Sequence, residues 1–398
     1  VIKKKIMLFL VFFIFIVVAG CSNGNETTNE NQTSTTEEVT TSIEAFDYEN
    51  KEVAVHRQNA IYIDDGQVYT KGENRNGQLG NGSFTDSDSF VDITEHFNLQ
   101  TNETIISVDL GEYHALALSS EGRVFAWGHS AYAKLGMVLT EDQNIPMDIT
   151  SEFNLNDGEE VAYIEAGRDH NGVITSGFRV FTWGVNAYGQ LGIGQTTNPW
   201  EDVVEGPQDI TEMFSSAVVK LEFGNNHSLA LTENGDVYAF GDNALNQLGS
   251  SFDQALSPTN ISSLFDGDVK DISVGYDHSG VLTESGKVYV FGDNQFRQLG
   301  MTGINMSDGP MDISDEFTDV LDIEFGHNSS SVSTETGVYV FGYNAYSQLA
   351  LGHSEVVNGP TMLNDSDFGS KTISRILIAK EVFALIFEDG STEVHGPF

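Results

Sequence analysis

Four histidines recur in one setting. Gly-x-x-His stands at Gly111/His114, Gly167/His170, Gly224/His227 and Gly275/His278. Imidazole nitrogens ligate metals and move protons near neutral pH, so the first chemistry to weigh is a metal ring or a set of general bases. The spacing argues against both. Each histidine sits at the same point of a repeated segment, and Asn59, Ser329 and Val382 take that point in the remaining copies. A residue repeated in this way serves the fold. Asp86-Ser87-Asp88 and Asp365-Ser366-Asp367 carry the opening acids of a calcium loop without its glycine and distal glutamate, and read as solvated loop acids. The single cysteine, Cys21, rules out an intrachain disulfide and a cysteine zinc site. No nucleophile motif, phosphate-binding loop or two-histidine metal helix is present. The expectation is no catalytic residue, no metal and no cofactor.

The elements that carry the histidines repeat with them. An apolar residue, an aromatic and a glycine close one strand at Val68–Gly72, Val124–Gly128, Val180–Gly184, Val237–Gly241, Val288–Gly292 and Val338–Gly342, with a degenerate copy at Thr392–Gly396. These glycines are 56, 56, 57, 51, 50 and 54 residues apart. A fixed period in this range marks a solenoid or a propeller. Each unit reads as four short strands. Two form a hairpin whose turn holds Asp65-Gly66, Gly122, Asn234-Gly235, Ser285-Gly286 or Asp389-Gly390. One precedes the hairpin, as at Ile106–Leu110 or Val161–Ala166. The last carries Asp-Ile-Thr or Asp-Ile-Ser from Asp92, Asp148, Asp209 and Asp312, with Phe97, Phe153, Phe214 and Phe317 three residues after the hydroxyl. That spacing suggests a hydroxyl N-cap and one helical turn pinned by phenylalanine. Seven such units predict an all-β, seven-bladed propeller of four-stranded antiparallel blades. Its ring is expected to close by pairing the C-terminal strand with the segment near Glu44–Val55.

The charge balance limits partners. Fifty-nine acids face eighteen Lys and Arg, a net charge of −41. This excludes a nucleic-acid binder and docking on anionic lipid through a basic patch. Lys3, Lys4 and Lys5 precede an apolar run from Ile6 to Ala19, of signal-peptide length. Val18-Ala19-Gly20-Cys21 resembles the bacterial lipobox, in which the cysteine receives a lipid and becomes the new N-terminus. Ser22 to Ser42 is polar and reads as a disordered tether with a reach of roughly 25 Å. The expected organisation is a signal peptide at 1–20, lipidated Cys21 with its tether at 21–42, and the propeller at 43–398. The expected location is extracytoplasmic, anchored to the bacterial cell membrane by the N-terminal lipid alone.

After each strand-closing glycine comes Gly-x-Asn-x-x-x-Gln-Leu-Gly, at Gly72–Gly80, Gly184–Gly192, Gly241–Gly249 and Gly292–Gly300. The copy at Gly128 has Ser130 for Asn and Lys134 for Gln, and that at Gly342 ends in Ala350. The Asn and Gln are expected to bond the loop backbone. With the Gly-x-x-His turns, these units resemble the repeats of the regulator of chromosome condensation family, also found in alpha-tubulin suppressor-like proteins. The resemblance covers about residues 43–398 and implies a seven-bladed propeller. It also implies that the two residues between Gly and His are interaction positions. Here they are Glu112-Tyr113, Arg168-Asp169, Asn225-Asn226, Tyr276-Asp277 and His327-Asn328. A photoreceptor member and beta-lactamase inhibitor protein II place Trp there, and this chain does not. The family's nucleotide-exchange activity needs a cytosolic or nuclear GTPase, which an exported chain does not meet. The function expected is a monomeric scaffold for a protein or cell-wall component with a basic surface. The alternatives are a secreted-enzyme inhibitor similar to that inhibitor protein, or a glycan-acting propeller enzyme. A second candidate rim, expected on the opposite side, is formed by the Gly-x-Asn loops with Tyr132, Tyr188, Phe296 and Tyr346.

The anchor gives the first test. Cys21→Ser should release the protein from membranes into the soluble fraction. A wild-type chain that takes up no labelled fatty acid and fractionates as soluble would refute lipidation.

Overall fold

The computed structural model describes residues 52–198, 200–363, 373–378, 383–387 and 392–395. These form seven antiparallel sheets in chain order, spanning 53–92, 105–148, 161–209, 218–260, 269–312, 320–362 and 373–395. Six have four strands and the seventh has three among the described residues. We number these sheets as blades 1 to 7. The innermost strands of all seven line one central cavity, from Val53–His56 of blade 1 to Ile373–Ile378 of blade 7. The two middle strands of a blade are covered on both faces by neighbouring blades, so they lose the apolar-polar alternation of a half-exposed sheet. His114–Ser119 and Val124–Gly128 are buried throughout, whereas the outermost strand Ser87–Asp92 is mostly exposed. Val53–Val55, expected at the edge of blade 7, pair instead with Ala60–Tyr62 inside blade 1. The rest of that closing segment, Glu44–Lys51, lies outside the described residues, as do Cys21 and the tether.

A short 3-10 turn after the outermost strand of each of blades 1 to 5 packs against the next blade. Phe97 packs edge-on against Phe125 and Trp127 of blade 2, with centroids 5.1 and 5.7 Å away. Phe153 does the same to Phe181 and Trp183 of blade 3, at 5.6 and 5.5 Å. Edge-to-face contacts of this kind add to the burial of the rings. The hydroxyl beside this turn does not cap its own helix as the sequence suggested. Thr94 Oγ1 accepts the Val68 N–H (2.8 Å) at the start of the third strand and donates to Asp92 Oδ1 (2.6 Å). Asp92 in turn accepts the Thr94 N–H (2.9 Å), so the aspartate takes the capping role. Thr150, Thr211, Ser262 and Ser314 accept equivalent N–H groups from Val124, Val180, Val237 and Val288. A strand-start N–H deep in the blade stack would otherwise be orphaned.

The repeated histidines join one blade to the next. His170, His227 and His278 place Nε2 3.0, 3.0 and 2.9 Å from Ser228, Ser279 and Ser330 of the following blade. Each serine spends its proton on the carbonyl of Gln190, Gln247 or Gln298, at 2.8 Å. The imidazole must therefore donate, which fixes the neutral Nε2–H tautomer. His114 donates likewise to Asn171 Oδ1 (2.6 Å), and Asn171 Nδ2 reaches the Lys134 carbonyl (3.0 Å). The glycine of Gly-x-x-His makes room for the ring. A Cβ on Gly275 would fall within 3.0 Å of both His278 Cε1 and the Gly326 carbonyl, and one on Gly111 within 3.0 Å of His114 Cε1 and the Gly167 carbonyl. This glycine is needed for close approach.

Burial lowers the histidines from 6.5, to about 3 for His114, His227 and His278 and to about 4 for His170 and His56. Their folded values lie below the unfolded value, so the unfolded chain binds more protons as acid is added. The stabilisation is present above about pH 6.5 and is lost as pH falls toward 4 to 3. Each proton bound only by the unfolded chain costs about 1.4 kcal/mol per pH unit. Asp277, raised to about 6 by burial, acts in the opposite sense but is a single group. The melting temperature should be nearly level from pH 8 to 7 and fall steeply below about pH 6.5, before most carboxylates titrate. His278→Gln, which keeps a donor for Ser330, should make that fall shallower by about one proton; a level melt to about pH 4.5 would contradict the relay.

Candidate binding face

The strand reversals decide which loops share a face. The Gly-x-x-His turn joins the first two strands of a blade and the Gly-x-Asn loop joins the last two. Antiparallel pairing places His114 opposite Gly128, so turn and loop leave the blade at the same end. The loop backbone confirms it. His129, Val185, Asp242, Asp293 and Tyr343 each donate an N–H to the carbonyl of Tyr113, Asp169, Asn226, Asp277 and Asn328, at 2.8 to 2.9 Å. The expectation that the Gly-x-Asn loops occupy the opposite rim is therefore wrong. Tyr132, Tyr188, Phe296 and Tyr346 surround the candidate turn residues on one face. The opposite face carries the hairpin turns and the 3-10 connectors.

The Gly-x-Asn loops are stapled as expected. The Asn side chain accepts the N–H of the leucine five residues on, as Asn74 does from Leu79 (2.9 Å) and Asn294 from Leu299 (3.0 Å). Its amide donates to loop carbonyls, such as Ser83 and Thr85 from Asn74. Gln78, Gln190, Gln247, Gln298 and Gln348 accept a loop N–H two residues back. Five of the six loops are thus held by the same Asn and Gln bonds, and in blade 2 the Ser130 N–H is taken by Asp142 instead.

The structure brings the predicted rim residues together around the cavity mouth. Backbone bonds run from turn to turn: Glu112 N–H to Arg168 O (3.0 Å), Arg168 to Gly224 (3.2 Å), Asn225 to Tyr276 (2.8 Å) and Tyr276 to His327 (3.2 Å). The side chains are half-buried or buried and engaged with one another. Glu112 receives Arg57 Nη1 and Arg168 Nε. Arg168 Nη1 donates to Asn225 Oδ1 (2.8 Å), and Asn225 Nδ2 donates to Asp277 Oδ1 (3.1 Å). The Arg168 guanidinium lies 5.7 Å from the Tyr276 ring, which stacks on His327 at 3.9 Å. Tyr113 Oη accepts from Arg57 (2.6 Å) and Arg75 (3.2 Å). Asp169 accepts Lys134 Nζ (2.8 Å), and Asn226 accepts Gln190 Nε2 (3.4 Å). Asn328 enters through its carbonyl alone among the contacts above. Burial opposes the charge on Arg168, but Glu112 and Asp169 hold it above the ordinary arginine value. Burial also pushes the Asp277 carboxyl up to about 6, with Asp293 and Asp242 adding to the effect and Asn225 opposing it.

Below the mouth is a cavity of about 350 Å³. Asp109, Glu165, Glu222, Asp271 and Glu324 line it with Lys220, whose Nζ bonds Asp271 (2.7 Å), Glu222 (3.2 Å) and the Ile272 carbonyl (2.9 Å). Sequence reading missed this lining. Its signal was a pair of charged residues two apart in otherwise apolar strands, Lys220 and Glu222 in one and Asp322 and Glu324 in another. Among the described residues no three His, Cys, Asp or Glu side chains are placed to hold a metal ion. The four recurring histidines are each occupied in the interblade relay. No helix among the described residues is long and apolar enough to cross a membrane.

Comparison with known proteins agrees with the geometry. The RCC1-like domain profile matches residues 16–385. The chain is similar to the human probable E3 ubiquitin-protein ligase HERC6, with 31% identity over 261 residues, 64% of this chain and 24% of that protein. It is similar to the ultraviolet-B receptor UVR8 of Arabidopsis thaliana, with 28% identity over 236 residues, 59% of this chain and 51% of the receptor. It thus spans about a quarter to a half of these relatives' length. Among solved structures, human WBSCR16 superposes with a TM-score of 0.72 at 19% identity, covering 86% of this chain and 88% of that one. Prp20p of Saccharomyces cerevisiae does so at 0.70 and 19%, covering 86% and 81%. Repeat, blade topology and profile agree: the chain belongs to the RCC1-like domain family.

Proposed function

We propose that this protein is a membrane-tethered, extracytoplasmic scaffold that binds a protein with a basic surface through the face bearing the Gly-x-x-His turns, and that it catalyses nothing. One observation carries the reading: on this face the positive charges are mostly used internally, exposed Arg75 against the Tyr113 hydroxyl being the exception, while acids are left outside. Arg57 and Arg168 are bonded to Glu112, Lys134 is buried against Asp169, and Arg297 donates to the Asn294 and Ile304 carbonyls. The six Gly-x-Asn loops each expose at least one acid, among them Asp86, Glu141, Glu201, Asp253, Asp308 and Glu355. A face so arranged attracts a cationic surface over a distance and repels acidic ones. Prp20p, which shares the fold, is described by its binding to Gsp1p and histones, and protein binding by this fold supports the reading. The lipobox-like Val18–Cys21 and the polar tether support the location. The aromatic rings near the mouth supply contact area at low entropy cost.

Tyr113→Ala and Tyr276→Ala should each weaken capture of the surface partner by roughly 1–3 kcal/mol with little change in the melt. Association with wild type should slow as salt rises. Equal binding by both variants, or association that does not depend on salt, would place the interface elsewhere.

A further inference from the structure

The departures from the repeat gather at the boundary of blades 2 and 3. The chain has three tryptophans. Trp127 and Trp183 are wholly buried and donate Nε1–H to the Gln78 and Lys134 carbonyls of the preceding blade, at 3.0 and 2.9 Å. Trp200 is 79% exposed. It stands on the connection between Val180–Gly184 and Gln208–Asp209, the longest Gly-x-Asn loop of blades 1 to 6. That loop is fixed at its base by the Thr197 N–H on the Asn186 carbonyl (3.0 Å) and by buried Val204. At its tip the Asn198 side chain takes the Trp200 N–H (3.1 Å), and the Asn198 carbonyl takes those of Glu201 and Asp202 (3.0 and 2.8 Å). The ring is held out by an anchored turn, at the cost of leaving a large apolar surface in water.

Tyr132 of blade 2 meets Trp200 edge-to-face, with centroids 5.1 Å apart at 87°. Its backbone is unlike that of its counterparts. Tyr132 has φ +64°, whereas Tyr188, Leu245, Phe296 and Tyr346 at the same loop position are not left-handed. A left-handed tyrosine is a strained conformation, and such strain tends to gather at binding sites. The same loop has Ser130 and Lys134 where the repeat has Asn and Gln. Lys134 is buried against Asp169, which lies 3.4 Å from Arg168 Nε at the cavity mouth. Strained tyrosine, exposed tryptophan and exchanged ion pair therefore form one sector continuous with the mouth. Its two cations are paired, while Glu201, Asp202 and Glu205 beside Trp200 are exposed.

We propose that Trp200 and Tyr132 form an aromatic corner that receives an arginine or lysine side chain from an extended basic peptide segment of the partner. Tryptophan is the strongest aromatic acceptor for a cation, and the flanking carboxylates supply the countercharge that a glycan would not need. This rests on the protein-binding reading of the face and adds to it the segment chemistry and the anchor residues.

The test uses the full-length chain and a defined probe, a nine-residue Gly-Ser-Arg repeat peptide, with a Gly-Ser-Gln repeat and chitotetraose as comparators. Because the other two tryptophans are buried, acrylamide quenching of intrinsic fluorescence reports on Trp200. The arginine peptide should protect it saturably, and less so as salt rises from about 0.05 to about 0.5 M. The glutamine peptide and the sugar should not protect it. By calorimetry, Trp200→Ala and Tyr132→Ala should each weaken peptide binding roughly 3- to 30-fold, while Tyr132→Phe should retain it. Protection by chitotetraose alone, no protection by the arginine peptide, or unchanged binding by Trp200→Ala would overturn the proposal. The two readings fail separately. A surface partner lost with Tyr113→Ala but kept by Trp200→Ala leaves the mouth reading standing and removes this one.

Discussion

Blade-to-blade attachment in this propeller depends on an imidazole that must donate from Nε2 and must stay neutral. The serine that receives the bond has a single proton and gives it to a carbonyl of the blade it came from, so the direction of each bond is forced. That carbonyl belongs to the Gln or Lys that shapes the Gly-x-Asn loop, and at Lys134 it also receives the Trp183 indole N–H. At the interface of blades 2 and 3, core packing, loop position and blade order thus meet at one atom. The glycine before the histidine follows from the same requirement, since a Cβ there would collide with the ring.

The network at the mouth is a second layer built on this frame. Arg57, Glu112, Arg168, Asn225 and Asp277 come from blades 1 to 5 in order and link them side chain to side chain. Such partly buried pairs lose hydration on forming and recover it through multiple bonds. Their contribution to stability is therefore modest, and their clearer effect is to orient groups. They hold Tyr276 between Arg168 and His327 and leave the face with an uncompensated negative rim.

The fold was legible because its signals are local. Strand, hairpin glycine and stapled Gly-x-Asn loop each involve residues within about ten positions, and their recurrence removes ambiguity. The errors involve distant partners. Thr94 looked like an N-cap because its nearest orphan N–H groups are its neighbours, yet the one it satisfies belongs to Val68, 26 residues away. The shared face of turns and loops could have been found by counting strand reversals from Gly111 to Gly128, and was obscured by treating the two motifs separately. The rim residues lie together at the mouth, but their mutual engagement was not visible: Arg57, which supplies half of the Glu112 pairing, sits in the blade 1 turn, where His56 and Asn59 replace the Gly and His that mark the motif. Trp200 gave no sequence signal, because a lone tryptophan in a loop reads as readily as core.

The row of glycines around the mouth has a consequence for how this surface can change. Because a methyl group on Gly111 or Gly275 would strike the next glycine's carbonyl, the aperture cannot be widened or narrowed one substitution at a time. The two residues after each glycine carry no such restriction and stand on turns whose backbone is already bonded to its neighbours. Variation is thereby confined to a few adjacent positions on a frame of constant dimensions, an arrangement analogous to hypervariable loops on an immunoglobulin sandwich. Randomising those pairs would yield a library of recognition surfaces of fixed radius, and new specificities could arise without a change in the architecture that displays them.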